Sequence, residues 1–392
     1  MDGEREGSCV ARIAHHGDLL LYDFGPYHPL RPERITAGLD LLESAGLWSP
    51  DTELLTASAA RLADLHTVHD PDYVRAVDEA GTAYLPAGEL ARYGLTSTDN
   101  PPFPAMHYAA ALVAGATTSV TREVLAGRLD HAFSPAGGLH HALRDRASGF
   151  CIYNDPAVAA AVAAREFEAR VMYVDFDCHH GDGVQWLFYE DPNVLTISLH
   201  ESGRFLFPGT GAISETGEGR GRGYAVNMPF APFTCDDDWQ EAVDALIPPL
   251  AHRFAPDILI TNHGCDTHIW DPLTHLSLST DSFVHQARVS HRLAHEVCGA
   301  RWIAVGSGGY DWRRVVPRSW AIVWTEMTRR PLPYSLPPDW ISRWDTESAE
   351  PLPDTFLDNS DDLTGPSPRA AEVRAANRDT LRRLRSLAGL QA

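Results

Sequence analysis

The chain lacks the features that mark a membrane or secreted protein. No uninterrupted apolar run in its 392 residues is long enough to span a bilayer. The amino-terminal stretch Met1–Glu6 is without the basic and apolar regions of a signal peptide. We therefore expect a cytoplasmic protein that does not interact with a membrane.

Basic residues are few, and so are cysteines. Lys and Arg number 32 against 53 Asp and Glu, which gives a formal charge of −21. Such an acidic chain is not expected to have nucleic acid as its main partner. The six cysteines are scattered without a C-x-x-C pair, which argues against a disulfide framework or a thiolate zinc site.

The chain does contain several continuous apolar runs that alternate with helical segments. Runs of this kind are typical of strands buried on both faces, so the pattern predicts an α/β protein with a central parallel sheet flanked by helices. The length suits two average domains or one large α/β domain. The predicted strands are Val10–Ala14, His131–Ser134, Arg170–Phe176, Val194–His200, Pro256–Asn262 and Trp302–Val305.

Polar residues follow these strands and do not precede them. Ligands of open α/β sheets bind outside the carboxyl ends of the strands, so the clusters should meet in one crevice. They are His140 and His141, the stretch Asp175–Asp182, Ser198 with His200, Asp266, and Tyr310.

The stretch after the third strand carries the clearest chemical signal. Side chains alternate along an extended segment, so Asp175, Asp177 and His179 project the same way. Burying two acids side by side is unfavourable unless a cation or hydrogen-bond donors compensate them. A metal ion explains the pattern, and the alternative is an ordinary capped loop after a core strand.

A metal at this position would be catalytic. Asp177, His179 and Asp266 as ligands leave positions open for water and substrate. His140 and His141 would serve as general base and acid, oriented by the carboxylates of Asp175 and Asp182. Tyr310 could donate its hydroxyl to a developing oxyanion, although a turn tyrosine that only packs on the surface is the simpler alternative.

Five motifs in register resemble the zinc-dependent histone deacetylase family, over roughly residues 10 to 325. The sequences around Asp99, Asp271 and Arg314 favour the bacterial acetoin utilization members of that family. The five motifs are Gly137-Gly138-Leu139-His140-His141-Ala142, Ser148-Gly149-Phe150-Cys151, Asp175 to Gly183, Phe207-Pro208-Gly209-Thr210-Gly211 and Gly308-Gly309-Tyr310.

The resemblance implies an arginase/deacetylase-like three-layer fold and a role for each matched residue. It implies Zn²⁺, or Fe²⁺ in its place, on Asp177, His179 and Asp266, and catalysis by His140, His141 and Tyr310. A structural K⁺ would contact Asp175, Asp177, His179, Ser198 and Leu199. The acyl-lysine channel would be formed by Phe150, Phe207, Gly149 and Leu273, with Asp99 at its rim and Arg34 near an acetate-release passage.

Three residues depart from the family pattern or interrupt it. Ser307 interrupts the usual glycine run before Tyr310, which predicts an altered loop there. His263 before Gly264 is atypical and is expected to pack. Cys178 lies between two ligands but should point to the opposite face, as a small buried residue and not as a fourth ligand.

Composition changes near Thr328, which predicts a catalytic domain over residues 1–327 and an extension over 328–392. The extension is rich in proline and contains an acidic stretch with Asp358, Asp361 and Asp362, so we expect it to wrap the surface. It should end in an amphipathic helix, Ala370–Leu387, that packs on the domain or on a neighbouring subunit.

The residues leave several functions open. The first is hydrolysis of acetylated lysine in proteins, and the second is hydrolysis of acetylpolyamines or other small acylated amines with the same catalytic groups. A ureohydrolase is disfavoured, since its second metal needs an acid where this chain has Gly181. A catalytically silent acyl-lysine binding module is the non-enzymatic alternative. The sequence does not define the oligomeric state.

Overall fold

The sheet has eight strands, and all of them are parallel. The computed structural model describes residues 9–82, 85–96, 98–345, 350–359, 363 and 369–390. The strand order is β2-β1-β3-β8-β7-β4-β5-β6. The strands are β1 (Ala11–His15), β2 (Leu54–Thr56), β3 (His131–Ser134), β4 (Val171–Asp175), β5 (Val194–Glu201), β6 (Ala225–Phe230), β7 (Ile258–Asn262) and β8 (Trp302–Val305).

Helices cover both faces of the sheet, which confirms the predicted three-layer α/β class. Helices α6 and α7 pack against each other, and α9, α10 and α11 form a second packed group. The helices are α1 (Glu33–Ser44), α2 (Pro50–Glu53), α3 (Leu62–Leu65), α4 (Pro71–Thr82), α5 (Ala87–Arg92), α6 (Met106–Leu125), α7 (Asp155–Phe167), α8 (Asp182–Leu187), α9 (Asp236–Phe254), α10 (Thr280–Val297), α11 (Val316–Thr328), α12 (Pro338–Trp344) and α13 (Ala370–Leu387).

The central strands are buried over their whole length. Every residue of β3, β4, β5, β7 and β8 is buried, as expected for parallel strands covered on both faces. No side chain of these strands therefore faces bulk water, and the candidate metal ligands Asp177, His179 and Asp266 lie beyond the carboxyl ends of the strands. No helix in the described ranges is long and apolar enough to cross a membrane.

Two strands were not predicted from the sequence. Strand β2 has only three residues, and β6 contains Pro229. Both lie at the edges of the sheet, where a proline removes no ladder hydrogen bond and a short strand suffices. Their sequences therefore lack the long apolar run by which the central strands were recognised.

The carboxyl-terminal segment lies against the rest of the chain. The side chain of Asn377 on α13 accepts a hydrogen bond from the Ala231 amide at 3.0 Å and donates to Asp238 at 3.0 Å. Val373, Leu381 and Leu384 are buried. Asp361 and Asp362 lie outside the described residues, and the division of the chain at residue 327 stays a prediction.

Candidate active site

Four neighbouring strands deliver the predicted site residues to one place. Strands β3, β8, β7 and β4 are adjacent in the middle of the sheet. His140 and His141 follow β3, Tyr310 follows β8, Asp266 follows β7, and Asp177 with His179 follows β4. Since carboxyl ends of parallel strands share one edge of the sheet, residues far apart in sequence come together.

Asp177, His179 and Asp266 form the centre of the site. The Nδ1 atom of His179 lies 3.1 Å from Oδ1 of Asp177 and 2.8 Å from Oδ2 of Asp266. All three residues are buried, and their ligand atoms lie close enough together to hold one metal ion. Gly308 closes the cluster on one side: a Cβ there would lie 2.5 Å from the Asp177 carboxylate and 2.6 Å from that of Asp266.

The pKa values of the two carboxylates in this cluster are shifted in opposite directions. Burial, together with the nearby Asp177, raises the pKa of Asp266 to about 6. Burial opposes the charge on Asp177 too, but His140 and His179 hold its pKa well below the usual range. The two carboxylates in turn raise the pKa of His179 well above its ordinary value against the effect of burial. Two carboxylates sharing one imidazole are a donor set that suits a divalent cation.

Each of the paired histidines is held by its own carboxylate. Nδ1 of His140 lies 2.7 Å from Asp175, and Nδ1 of His141 lies 2.6 Å from Asp182. Burial alone would lower the pKa of His140, but Asp175 and Asp177 raise it to about 9. Burial and the adjacent His140 lower the pKa of His141 to about 4. The two rings, with centroids 4.0 Å apart, are therefore driven towards opposite charge states.

Tyr310 lies beside the cluster with its ring 6.4 Å from the His179 ring. Its backbone amide donates to Asp271 at 2.8 Å, and Asp271 also accepts the amide of Leu273 at 2.9 Å. Burial and then Asp266 raise the pKa of the Tyr310 hydroxyl well above its usual value, so the phenol stays protonated. The surface-packing alternative for this tyrosine does not fit its position.

Two aromatic residues flank the approach to the cluster. The Phe207 ring packs edge-on against His141 at 5.0 Å, and the Phe150 ring packs edge-on against Tyr310 at 5.7 Å. Gly149 has φ +50°, and a Cβ there would lie 2.5 Å from His141 and 2.8 Å from Phe207. The narrow spacing at this point thus requires glycine.

The outer residues of the predicted channel are exposed. Leu273 is 38% exposed and Phe207 44%. Asp99 is exposed as well, and its carbonyl oxygen lies 3.2 Å from Nε2 of His28. Because the His28 ring packs against Phe150 at 4.5 Å, Asp99 is connected to the wall of the opening.

Comparison with known proteins gives the family of the chain. A family model described as the histone deacetylase domain matches residues 28–327. The chain is 45% identical over 360 residues to the acetoin utilization protein AcuC of Bacillus subtilis strain 168, covering 92% of each chain. It is 38% identical to the AcuC of Staphylococcus aureus strain MSSA476, covering 95% of this chain and 96% of that one.

The chain belongs to the histone deacetylase family. Solved structures similar to it include an HDAC homologue complexed with SAHA, with a TM-score of 0.83, 29% identity, and coverage of 96% of this chain and 99% of that one. An HDAC homologue from Aquifex aeolicus gives a TM-score of 0.82 at 28% identity, with the same coverage of each chain. The resemblance drawn from the sequence motifs is confirmed, and the chain is a member of a family of deacetylating hydrolases.

Several residues that support the candidate site were not predicted. Asp175 accepts hydrogen bonds from the Tyr173 hydroxyl at 2.7 Å and the Asn262 amide at 2.9 Å. Strand register could have indicated both: Tyr173 shares the face of Asp175, and Asn262 is its partner on β7. On the other side Asp175 pairs with Ser198 of β5, beside Leu199.

Asp155 was also missed, and it positions the histidine pair from below. Its carboxylate accepts the amides of Gly138 at 3.0 Å and Leu139 at 2.8 Å, just before His140. Burial raises its pKa to about 6. An acid at the start of a helix, as Asp155 is in α7, is usually read as a helix cap, so its sequence gave no sign of this role.

The three departures from the family pattern have distinct surroundings. Ser307 adopts φ +51°, and its hydroxyl lies 2.8 Å from Oδ2 of Asp177. Cys178 is buried with its Sγ 3.9 Å from Glu201, away from the ligand atoms. His263 is fully buried against Phe176 and hydrogen-bonds the Thr261 hydroxyl at 2.8 Å.

Arg34, buried beneath the site, donates to the Ser307 carbonyl at 2.5 Å.

Proposed function

We propose that the chain is a metal-dependent amidohydrolase that removes acetyl groups from lysine side chains of proteins. The observation that carries the proposal is the convergence of Asp177, His179 and Asp266 beside two histidine–aspartate pairs, at the base of an opening flanked by aromatic rings. A site built only for binding would not need two histidines held in opposite charge states.

The three converging residues would hold Zn²⁺ or Fe²⁺. Two buried carboxylates and an imidazole suit such an ion, and the shared His179 contact leaves their mutual repulsion only partly compensated. When bound, the ion would acidify a water molecule and polarise the acyl carbonyl. A structural K⁺ beside it, contacted by Asp175, Asp177, His179, Ser198 and Leu199, is supported by the register that pairs Asp175 with Ser198.

The histidines would divide the proton transfer between them. His141, whose pKa is lowered to about 4, is neutral at pH 7 and can accept a proton from the attacking water. It can then return a proton to the departing lysine amine. In the metal-free protein Asp175 and Asp177 raise the pKa of His140 to about 9, so His140 would hold a proton with which to stabilise negative charge beside the reacting carbonyl.

Tyr310 and the channel residues would position the substrate. The protonated Tyr310 hydroxyl can donate a hydrogen bond to the acyl oxygen as negative charge develops on it. Phe150 and Phe207 would hold the uncharged stem of acetyl-lysine, with Gly149 and Leu273 completing the channel. Asp99, exposed at the rim, would accept hydrogen bonds from the substrate backbone.

The released acetate needs a way out of a site whose mouth is filled by the lysine stem. Arg34 is buried, and its guanidinium lies near Tyr310, Asp177 and Asp266, where burial lowers its pKa while these groups oppose the shift. A buried cation behind the site can attract a small carboxylate. We therefore assign Arg34 to an internal acetate passage.

The proposal is tested by acetate release from an acetyl-lysine peptide. The chain contains no lysine, so any deacetylated lysine comes from the added peptide. We expect a strong chelator to abolish turnover and Tyr310→Phe to lower kcat by about 10²- to 10³-fold. Tyr334→Phe, which changes a 75% exposed tyrosine in the same way, is the matched control. Full turnover by Tyr310→Phe would refute the assigned mechanism.

The substrate alternatives are separated by Asp99→Asn. If proteins are the substrate, this variant should raise KM for an acetyl-lysine peptide and leave KM for acetylputrescine unchanged. A small-amine deacetylase would turn over acetylputrescine better than the peptide and ignore the change. An acyl-lysine binding module would bind the peptide and release no acetate.

A further inference from the structure

A second group of histidines lies at the opposite edge of the sheet from the deacetylase site. His131 is the first residue of β3, and His291 and His295 lie one turn apart on α10. Cys9 precedes β1 and reaches the same point. The catalytic residues follow the carboxyl ends of the strands, so this histidine–cysteine cluster is a separate site.

The contacts within the histidine–cysteine cluster exceed what hydrogen bonding can satisfy. Nε2 of His295 lies 3.1 Å from Nε2 of His291, 3.3 Å from Nε2 of His131 and 3.7 Å from Sγ of Cys9. A ring nitrogen of a neutral imidazole carries either one proton or one lone pair. It can therefore serve one of these three neighbours and not all of them.

The same distances match the edges of a metal-centred tetrahedron. With Zn–N of about 2.0–2.1 Å and Zn–S of about 2.3 Å, tetrahedral angles give N···N edges of roughly 3.3–3.4 Å and S···N edges of roughly 3.6 Å. The observed separations of 3.1, 3.3 and 3.7 Å lie close to these values. We infer that Cys9, His131, His291 and His295 bind a transition-metal ion, Zn²⁺ or a metal of similar preference.

The surroundings hold the ligands in place. Nδ1 of His291 lies 3.0 Å from the Glu326 carboxylate, the type of outer contact that orients metal-binding histidines. The Val10 amide donates to Asp130 at 2.9 Å, which fixes the backbone next to Cys9. The His291 ring also stacks on Trp302, with centroids 5.7 Å apart.

The donor set defines the class of ion and its role. Three imidazole nitrogens and one thiolate favour zinc-like metals over Mg²⁺ or Ca²⁺, which prefer oxygen. Four protein ligands leave no open position, which is the pattern of a structural site. His291 and His295 also line an open cleft of about 700 Å³, which gives an ion a path of entry. The ion would join the segment at Cys9 to α10 and β3.

Metal content of untagged full-length protein tests the inference. After loading with zinc and dialysis, we expect two equivalents per chain in the wild type and one in His295→Ala, because His295 is exposed and its loss should not prevent folding. His285→Ala, on the same helix but bonded to Asp244, is the matched control and should keep both equivalents. Two equivalents in His295→Ala would overturn the inference.

An active-site variant separates this inference from the proposed function. Asp177→Asn should lose the other equivalent, and the double variant should bind none. If the wild type bound one equivalent of zinc and His295→Ala bound none, the result would support the metal site at the histidine–cysteine cluster and count against the proposed catalytic metal. If the wild type bound one equivalent of zinc and only Asp177→Asn lost it, the inference that the histidine–cysteine cluster binds a metal would be wrong.

Cobalt substitution gives a readout specific to the thiolate. Only the cluster has a sulfur ligand, so the Co²⁺ protein should show a thiolate-to-cobalt charge-transfer band. Cys9→Ser should abolish that band, and Cys235→Ser, at another half-buried free cysteine, should retain it. A cobalt protein without the band, or a band retained in Cys9→Ser, would contradict the assignment.

Discussion

Two groups of buried charges in this molecule differ in the partners of their carboxylates. In the active-site cluster, Asp177 and Asp266 share His179, and the direct ion-pair partners of these carboxylates among the described residues are histidines. In the anchor cluster, formed by His268, Arg318 and Asp358, Nη1 of Arg318 lies 2.8 Å from Asp358 with both side chains at most 1% exposed.

The Asp358 carboxylate of the anchor cluster is well supplied with hydrogen bonds, whereas Nη2 of Arg318 is buried without a hydrogen-bond partner among the described residues. Asp358 accepts from Arg318, from the Thr280 amide at 2.8 Å, and faces Nε2 of His268 at 2.9 Å. Burial would raise the pKa of Asp358, but His268 and Arg318 lower it well below its usual range. Asp266 shifts the other way, to about 6. A buried acid paired with a permanently charged guanidinium is structural, whereas two buried acids that share one imidazole mark a place where a cation is expected.

Removing the charge of Asp358 from the anchor cluster should give the largest effect on stability. Asp358→Asn leaves Arg318 buried without its partner, so we expect the free energy of unfolding to fall by about 3–5 kcal/mol. The catalytic residues do not contact Asp358, so kcat at a temperature where the variant is folded should be unchanged. Denaturant unfolding and turnover of an acetyl-lysine peptide measure the two quantities.

Asp354→Asn is the control for this prediction, because Asp354 is exposed in the same segment. It should change stability by less than about 0.5 kcal/mol. Replacing both partners, as in Arg318→Met with Asp358→Leu, should recover much of the loss. Equal losses in Asp358→Asn and Asp354→Asn would show that the anchor cluster contributes nothing particular.

Replacing an acid by its amide in the active-site cluster should affect stability differently from the same replacement in the anchor cluster. In metal-free protein at pH 8, Asp266→Asn removes one of two buried charges that share His179 and are only partly compensated, and we expect it to unfold no more easily than the wild type. Added zinc should stabilise the wild type by about 2.7 kcal/mol at a free concentration 100 times Kd. The variant should lose most of this gain, as measured by thermal unfolding with and without the ion.

Zinc bound at the histidine–cysteine cluster would also stabilise the protein, so this comparison is made in a His295→Ala background. A strong loss of stability in metal-free Asp266→Asn would contradict the view that this charge is only partly compensated. Retention of the full zinc effect would show that Asp266 is not a ligand.

The two clusters should also give opposite pH dependence in metal-free protein. The folded pKa of Asp266, about 6, lies above an unfolded value of about 3.9, so the folded state binds more protons between these values. The contribution of Asp266 to stability should therefore rise, by on the order of 2 kcal/mol, as pH falls from about 7 to 4. It is obtained as the difference between wild type and Asp266→Asn, because the lowered pKa of His141 changes stability in the opposite direction over this range. The depressed pKa of Asp358 has the opposite sign, and its contribution is lost as pH falls below about 4. Unfolding of wild type, Asp266→Asn and Asp358→Asn across this range should resolve both slopes, and parallel curves would contradict the comparison.

More residues of the active-site cluster than of the anchor cluster could be predicted from the sequence. Asp175, Asp177 and His179 alternate along one strand end, so local spacing alone indicated a shared face. Asp358 lies in a proline-rich acidic stretch that predicted a surface location, yet its carboxylate is buried. Its partners, Arg318 and His268, are distant in sequence. Arg318 ends the motif Arg314-Val315-Val316-Pro317-Arg318, which supported the family resemblance but indicated no ion pair, and His268 lies in none of the motifs. Burial of a single acid by tertiary contacts leaves no periodic signal.

The same contrast applies to the fold. The central strands β3 and β8 were predicted with their observed bounds: β8 is a continuous apolar run, and β3 is a short segment with an apolar centre that follows a long helix. Edge strands β2 and β6 were missed, since one is very short and the other contains proline. The histidine–cysteine cluster was missed for a similar reason: His131, His291 and Cys9 become neighbours only when β3, α10 and the first segment pack together.

The smallest predicted effect concerns Ser307, which interrupts the glycine run before Tyr310. Ser307→Gly removes a hydroxyl that lies 2.8 Å from Asp177, a contact with a charged group worth about 1.5–3 kcal/mol. Glycine also relieves the positive φ of +51°, which costs another residue about 1–2 kcal/mol. The two terms nearly cancel, so stability should change by about 1 kcal/mol or less. Metal affinity should still fall severalfold, because Oδ2 of Asp177 keeps only the Gly308 amide at 2.8 Å, while Oδ1 keeps the His179 amide at 2.9 Å.

Ser307→Ala separates the two terms, since it removes the hydroxyl and keeps the unfavourable backbone. It should lower metal affinity as much as Ser307→Gly and be less stable than Ser307→Gly by about 1 kcal/mol. Competition with a chromophoric chelator measures the affinity, and denaturant unfolding measures the stability. If both variants bound metal as tightly as the wild type, Ser307 would hydrogen-bond the Gly138 carbonyl at 3.0 Å and leave Asp177 to Gly308. The serine would then brace the loop before Tyr310 without supporting the ligand.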